Sequence, residues 1–186
     1  RSKVRYVERH YGEGDGRGEN IMNPTTVVEL SEGSYMEMET TQIKGVDSTV
    51  RTTNAKLGDR ATLIIKEKVM THGKQLAKSD FTVDLDGEDC HTNVISRSVA
   101  REDSKQVFLA RINGNNRCYG HSECDAIIMD HGVVAAIPEV TANCVDASLV
   151  HEAAIGKIAG EQLTKLMTLG LTEKEAEEQI VKGFLK

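Results

Sequence analysis

The chain has 186 residues, enough for one packed domain or an elongated solenoid with a small appendage, and too few for several independent globular domains. A formal net charge of -6 leaves no diffuse basic field to hold a phosphate backbone, and 4% aromatic residues with no Trp argue against a stacking platform for single strands or sugars. No apolar run reaches the roughly 18 residues that span a bilayer, and the start lacks the basic-then-apolar order of a signal peptide. These features predict neither a nucleic-acid partner nor a membrane one, and a cytoplasmic protein.

The chain opens at Arg1 without Met, on Ser2-Lys3-Val4-Arg5-Tyr6, which reads as the edge of a larger structure and suggests a missing N-terminal segment. Residues 1–24 are expected to be a flexible start. Within them, Tyr11 to Gly18 carries four alternating glycines, but the run does not match Gly-x-Gly-x-x-Gly, no helix follows, and acidic residues stand where phosphate would sit. A flexible loop is the expectation there.

Residues 25–150 alternate apolar and polar positions in short runs. Thr26–Leu30, Ala61–Lys66, Phe81–Leu85 and Gln106–Ile112 show the period of two that marks half-buried strands. Between them come corner signals at Leu57-Gly58-Asp59, Leu85-Asp86-Gly87, Ile112-Asn113-Gly114 and Met129-Asp130-His131-Gly132. The intervals are irregular, so this rhythm alone fits a β-solenoid and an antiparallel sandwich equally well.

The pattern changes near Glu152, which places a helical segment at 151–186. Ile155, Ile158, Leu163, Leu166 and Met167 follow helical spacing, ending at Leu169-Gly170. Thr172 with Glu175 three residues on is a capping box that starts a second helix bearing Ala176, Ile180, Val181, Phe184 and Leu185. So short an αα-hairpin must rest one face on the strand domain or on another protein.

Chemistry-bearing side chains are densest at Cys118-Tyr119-Gly120-His121-Ser122-Glu123-Cys124, a Cys-x2-His-x2-Cys spacing whose thiolates and imidazole suit zinc or iron. On a straight strand the two cysteines share a face and His121 points the other way, so convergence requires a turn at Gly120. The competing reading makes Cys118 and Cys124 small apolar fillers of an inner face. Cys90 and Cys144 read as structural, and all four cysteines as free thiols in a reducing compartment. His151-Glu152, expected at the strand-to-helix junction, can ligate iron or move a proton, or Glu152 can simply complement the helix dipole. His72 and His91 read as ordinary turn residues. Gly-x-Ser-x-Gly, Walker, His-Glu-x-x-His and Cys-x-x-Cys motifs are all missing, which argues against a self-sufficient enzyme. A polysaccharide-active solenoid would need exposed aromatics that this composition lacks.

Several ordered stretches resemble the SufB/SufD family of iron–sulfur cluster assembly scaffolds, including its archaeal-type members. They are His121–Asp130, Ile137-Pro138-Glu139-Val140, His151–Ile158 with Glu161-Gln162-Leu163, and the tail Leu169–Ala176 closing on Ile180–Phe184. The match is good from Asn54 to Lys186 and poor over the first fifty residues. The resemblance implies a right-handed parallel β-helix followed by a helical domain. It implies pairing with a SufB/SufD-type partner or a second copy, docking of a SufC-like ABC ATPase on the C-terminal helices, and sulfur from a desulfurase system. It also implies a transient iron–sulfur cluster, with reduced flavin as an electron source in the assembled complex. Cys124 falls on the family's sulfur-accepting cysteine, and His151 and Glu152 on its His-Glu ligand pair. Glu152 and Cys124 favour SufB, and His151 also matches SufD. Where SufB carries a second cysteine this chain has His131-Gly132-Val133-Val134, and Val150 replaces an acidic residue, so Cys118, His131 or Cys144 are the candidate substitutes in the ligand set.

Overall fold

In the computed structural model, residues 2–12 and 18–186 are described. Twelve strands come first: β1 (Lys3–Tyr11), β2 (Ile21–Met22), β3 (Thr25–Leu30), β4 (Tyr35–Lys44), β5 (Ser48–Leu57), β6 (Thr62–Thr71), β7 (Leu76–Leu85), β8 (Cys90–Ala100), β9 (Lys105–Gly114), β10 (Cys118–Ile128), β11 (Val133–Ala142) and β12 (Ala147–Gly156). Two helices follow, α1 (Gly160–Thr168) and α2 (Glu173–Phe184).

Pairing decides between the two architectures left open above. One sheet runs β1-β4-β6-β8-β10-β12 and the other β11-β9-β7-β5-β2, with β3 also on β5, and the described pairs are parallel. From β3 onward the chain therefore crosses from sheet to sheet at each corner and returns one rung further on, giving a parallel β-helix with a helical tail. Side chains bonded between rungs lie 28 residues apart, as Arg111 to Glu139, or 29 apart, as Asn113 to Asp84.

The four expected runs are all strands, each extending further than its alternation showed. Corners are made by left-handed residues, Arg60, Asp89, Glu102 and Asp130 among them. At Gly87 a Cβ would stand 2.0 Å from the Gly58 carbonyl carbon, so neighbouring rungs touch backbone to backbone there.

The strand domain is longer than 25–150 at both ends. β1 pairs with β4 from Lys3↔Tyr35 to Tyr11↔Lys44, so most of the expected flexible start is the outermost rung. Of the glycine run Tyr11–Gly18, residues 13–17 lie outside the described residues. At the other end β12 continues to Gly156 and α1 begins only at Gly160. The capping box at Thr172 and Glu175 is present, and α2 sets Val181 against Val99 and Met129, with Phe184 and Leu185 packed beside them. α1 buries no residue. Among the described residues no helix is long and apolar enough to cross a membrane.

Candidate functional site

β10 and β12 form the open end of the first sheet. β10 is a straight strand, and Gly120 does not turn it: a Cβ at Gly120 would meet Ile112 Cγ2 and Leu149 Cδ2 at 2.8 Å, so this is a buried position with room for hydrogen only. The alternation expected of a strand follows. Cys118, Gly120, Ser122 and Cys124 face inward and are buried, while Tyr119, His121 and Glu123 face outward. The cysteines are the inner-face fillers that the competing reading described, and no Cys-His-Cys site closes.

Cys124 is 1% exposed, at the interior of the last fully covered rung. Burial first, then the Glu67 and Asp125 carboxylates, push its thiol up to about 12, so it is a thiol at neutral pH. Glu67, Ser96, Cys124 and Ala153 are register partners across β6, β8, β10 and β12 and form one interior column. Glu67 is itself buried, accepting from Ser79 Oγ at 2.6 Å and Ser96 Oγ at 3.0 Å, with Arg51 Nε at 3.6 Å. Its removal from water outweighs these partners and holds its carboxyl above the usual range. Arg51 in turn donates to Glu8 and reaches His10 Nδ1 at 2.7 Å. Neither Glu67 nor Arg51 stood out in the sequence.

His151 is mid-strand in β12, not at a helix start. It is the partner of Ser122, and Ser122 Oγ and His151 Nδ1 are hydrogen-bonded at 2.7 Å, which turns the ring toward the inner row. Burial and the neighbouring His121 lower its pKa, against an opposing pull from Glu152. Cys124 pairs with Ala153, two residues beyond His151, so the Cα atoms of Cys124 and His151 are about 8 Å apart by strand geometry. Glu152 pairs with Glu123 on the outer face. Cys124 and His151 thus share the interior of adjacent rungs, and Glu152 lies across the sheet from them.

The other candidates are elsewhere. Cys118 is the register partner of Cys90 at the start of its strand, six positions from Cys124, or about 20 Å along the strand. Cys144 is half-buried in the turn between β11 and β12, and His131 is exposed at the corner beyond the far end of β10. Among the described residues no three or more His, Cys, Asp or Glu side chains are arranged to hold a metal ion.

On the outer face, His121 Nδ1–H donates to Asn93 Oδ1 at 2.9 Å. Among the described residues His121 Nε2 is buried without a hydrogen-bond partner, and it stands 3.5 Å from Glu152 Oε1. His91 and Tyr119 stack beside it with ring centroids 4.9 Å apart.

The family model for SUF system FeS cluster assembly, SufBD core domain, matches residues 1–184. The chain belongs to the SufBD core family. An iron–sulfur cluster assembly SufBD family protein of Methanocaldococcus jannaschii is 33% identical over 186 residues, covering 99% of this chain and 58% of that protein. A SufBD family protein of Archaeoglobus fulgidus is 30% identical over 167 residues, covering 89% of the chain and 45% of its own length. The iron–sulfur cluster assembly protein SufB of Bacillus subtilis is 32% identical over 99 residues, 51% of this chain and 21% of SufB. The SufBD chain described here thus spans little more than half of the archaeal relative it matches end to end.

Proposed function

We propose that this chain is the solenoid core of a cytoplasmic, non-enzymatic scaffold subunit on which iron–sulfur clusters are assembled, with Cys124 accepting sulfane sulfur and His151 holding the nascent product at the open end. The observation that carries the reading is the placement of His151 on the inner row of the last rung, bonded to Ser122, one strand beyond Cys124. Only β12 separates Cys124 from the open end of its sheet, and β12 is an edge strand with largely exposed side chains. Release of one rung exposes the thiol, and an edge strand with a single neighbour is the least secured rung available. Mixed thiolate and imidazole ligation binds a cluster less firmly than four thiolates, which suits a product that must be handed on.

The same surfaces support the reading of its partners. The edges of β11 and β12 carry Ile137, Val140, Val150 and Ile155, each more than a third exposed, and a SufB/SufD-type partner or a second copy would cover them. The helical hairpin would dock a SufC-like ABC ATPase through α1, which leaves Met167 45% and Leu169 75% exposed. Sulfur comes from a desulfurase system and electrons from reduced flavin in the assembled complex. A structural, SufD-like subunit without its own cluster is the second reading, favoured by the 1% exposure of Cys124 and by the split of Glu152 from the inner row.

Anaerobic reconstitution with iron and sulfide, followed by absorption and Mössbauer spectra, separates the two. The scaffold reading expects Cys124→Ser and His151→Ala each to lower cluster yield severalfold. Equal yield and lifetime in both variants would leave only the structural role.

A further inference from the structure

The outer face of β10 and β12 carries a second constellation, and the first question is where its protons are. Asn93 Oδ1 is an acceptor, so the 2.9 Å bond places the proton of His121 on Nδ1 and leaves Nε2 with a bare lone pair in the neutral ring. That lone pair is buried, has no donor, and confronts a carboxylate oxygen of Glu152 at 3.5 Å. Two acceptors facing each other across this gap repel unless a cation lies between them.

The separation itself fits a metal ion. Metal–nitrogen and metal–oxygen bonds of about 2.1 Å at a near-tetrahedral angle put their donor atoms about 3.4 Å apart. A ring held through its other nitrogen by an amide oxygen is also the usual way a ligating histidine is oriented. Glu123, the register neighbour of Glu152 on the same row, adds a carboxyl beside the pair.

We propose that His121 Nε2 and Glu152 are two ligands of a divalent transition-metal site on the outer face of the open end, distinct from the inner-face thiol and imidazole of Cys124 and His151. Imidazole with carboxylate suits ferrous iron, and two protein ligands leave positions for water or for a partner's side chain. This rests on the scaffold reading only for its purpose: iron would arrive on one face of the sheet and sulfur on the other, so neither reacts before β12 moves. The fold enforces the separation, because side chains at consecutive positions 151 and 152 of one strand cannot share a face.

Cobalt(II) is the probe, titrated anaerobically into the full chain and followed by its visible ligand-field bands. One saturable site is expected, with no thiolate-to-cobalt charge transfer. His121→Gln and Glu152→Gln should each weaken binding about tenfold or more. Asn93→Ala, which leaves both ligands in place but frees the ring, should weaken it severalfold, whereas Cys124→Ser and His151→Ala should leave it unchanged. No saturable binding would overturn the site, the gap then being closed by a proton on His121. Charge-transfer bands abolished by Cys124→Ser would overturn it too, by moving the metal to the inner face. Loss of the cobalt site with Cys124-dependent reconstitution intact removes this inference alone, and the reverse result removes the scaffold reading alone.

Discussion

The two halves of the coil interior are built differently. Where the first sheet begins and the second ends, the inner positions are Leu63, Ile65, Phe81, Val83, Leu85 and Val94, all at 1% exposure or less. Where the strands of the first sheet end and those of the second begin, they are Gln42, Arg51, Glu67, Ser79, Ser96 and Gln106, also buried, at 2–7% exposure, but polar. The apolar half needs only volume and packing. Its polar counterpart depends on hydrogen bonds, as when Gln106 Nε2 donates both to Thr71 Oγ1 at 2.8 Å and to the Val99 carbonyl at 2.9 Å, although among the described residues Thr40 Oγ1, beside Glu67, is buried without one. Cys124 stands next to last in the column Glu67–Ser96–Cys124–Ala153, so the thiol proposed to do chemistry sits in line with a buried carboxyl and hydroxyl, with only Ala153 beyond it. On the proposed reading, the apolar packing and the reactive thiol lie toward opposite sides of one narrow interior.

The largest effect that tests this division is in the apolar half. Phe81 is fully buried, with its ring 5.7 Å from that of Phe108. Phe81→Ala should cost about 3–5 kcal/mol in denaturant unfolding, the range for an unfilled aromatic cavity. Ser79→Ala, two positions along the same strand, removes one bond to Glu67 and should cost about 1–3 kcal/mol. If the two were equal, the halves would not differ in the way the packing states.

A smaller and sharper effect is the pH dependence of the polar half. The carboxyl of Glu67 is held above its ordinary range by burial, so the folded chain binds its proton more tightly than the unfolded chain does. Stability from this group is therefore fully present below the unfolded carboxylate pKa and is lost as pH rises toward the folded value, with a limiting slope of about 1.4 kcal/mol per pH unit. Glu67→Gln should remove that slope, measured as urea midpoints against pH. A difference between wild type and variant that stays constant with pH would mean that Arg51 and the two serines balance desolvation, and a slope of opposite sign would mean that they outweigh it.

How much of this was legible follows from which periods the residues display. Strands packed on both sides announced themselves, because a buried inner row forces a period of two, as in Phe81–Leu85. The solenoid repeat was hidden. Its 28- and 29-residue spacings alternate because the corners differ by a residue, and the marks at those spacings are scattered and of mixed type: the pairs Leu57–Leu85 and Cys90–Cys118, the side-chain ladder Asp86–Asn115–Asn143 and the ion pair Asp89–Arg117. With that period in hand, Glu67, Ser96 and Cys124 fall in one column. Without it, Lys66-Glu67-Lys68 reads as a solvated charge run. The boundary near residue 151 failed for a different reason. β12 has a neighbour on one side only, so Ala153, Ala154 and Ile155 need not alternate, and Ile155 with Ile158 mimics a helical turn. His121 and Glu152 could not have been joined from spacing, since their contact depends on that same register.

The smallest effect concerns what guards the polar half from outside. α2 packs Val181 over Val99 and Met129, which lie at the end of β8 and just past β10, on the polar side of the coil. Its start is secured by Thr172, whose Oγ1 accepts from the Glu175 amide while the Glu175 carboxylate accepts from the Thr172 amide at 2.8 Å. Thr172→Ala should lower the stability of α2 by about 1 kcal/mol. In native-state hydrogen exchange the added opening should reach the amides around Val99 and Met129 and leave those of Leu63, Ile65 and Leu85 as they were. Equal acceleration in both groups would mean that the two halves open as one unit, and the release of a single outer rung that exposes Cys124 would then have no structural basis.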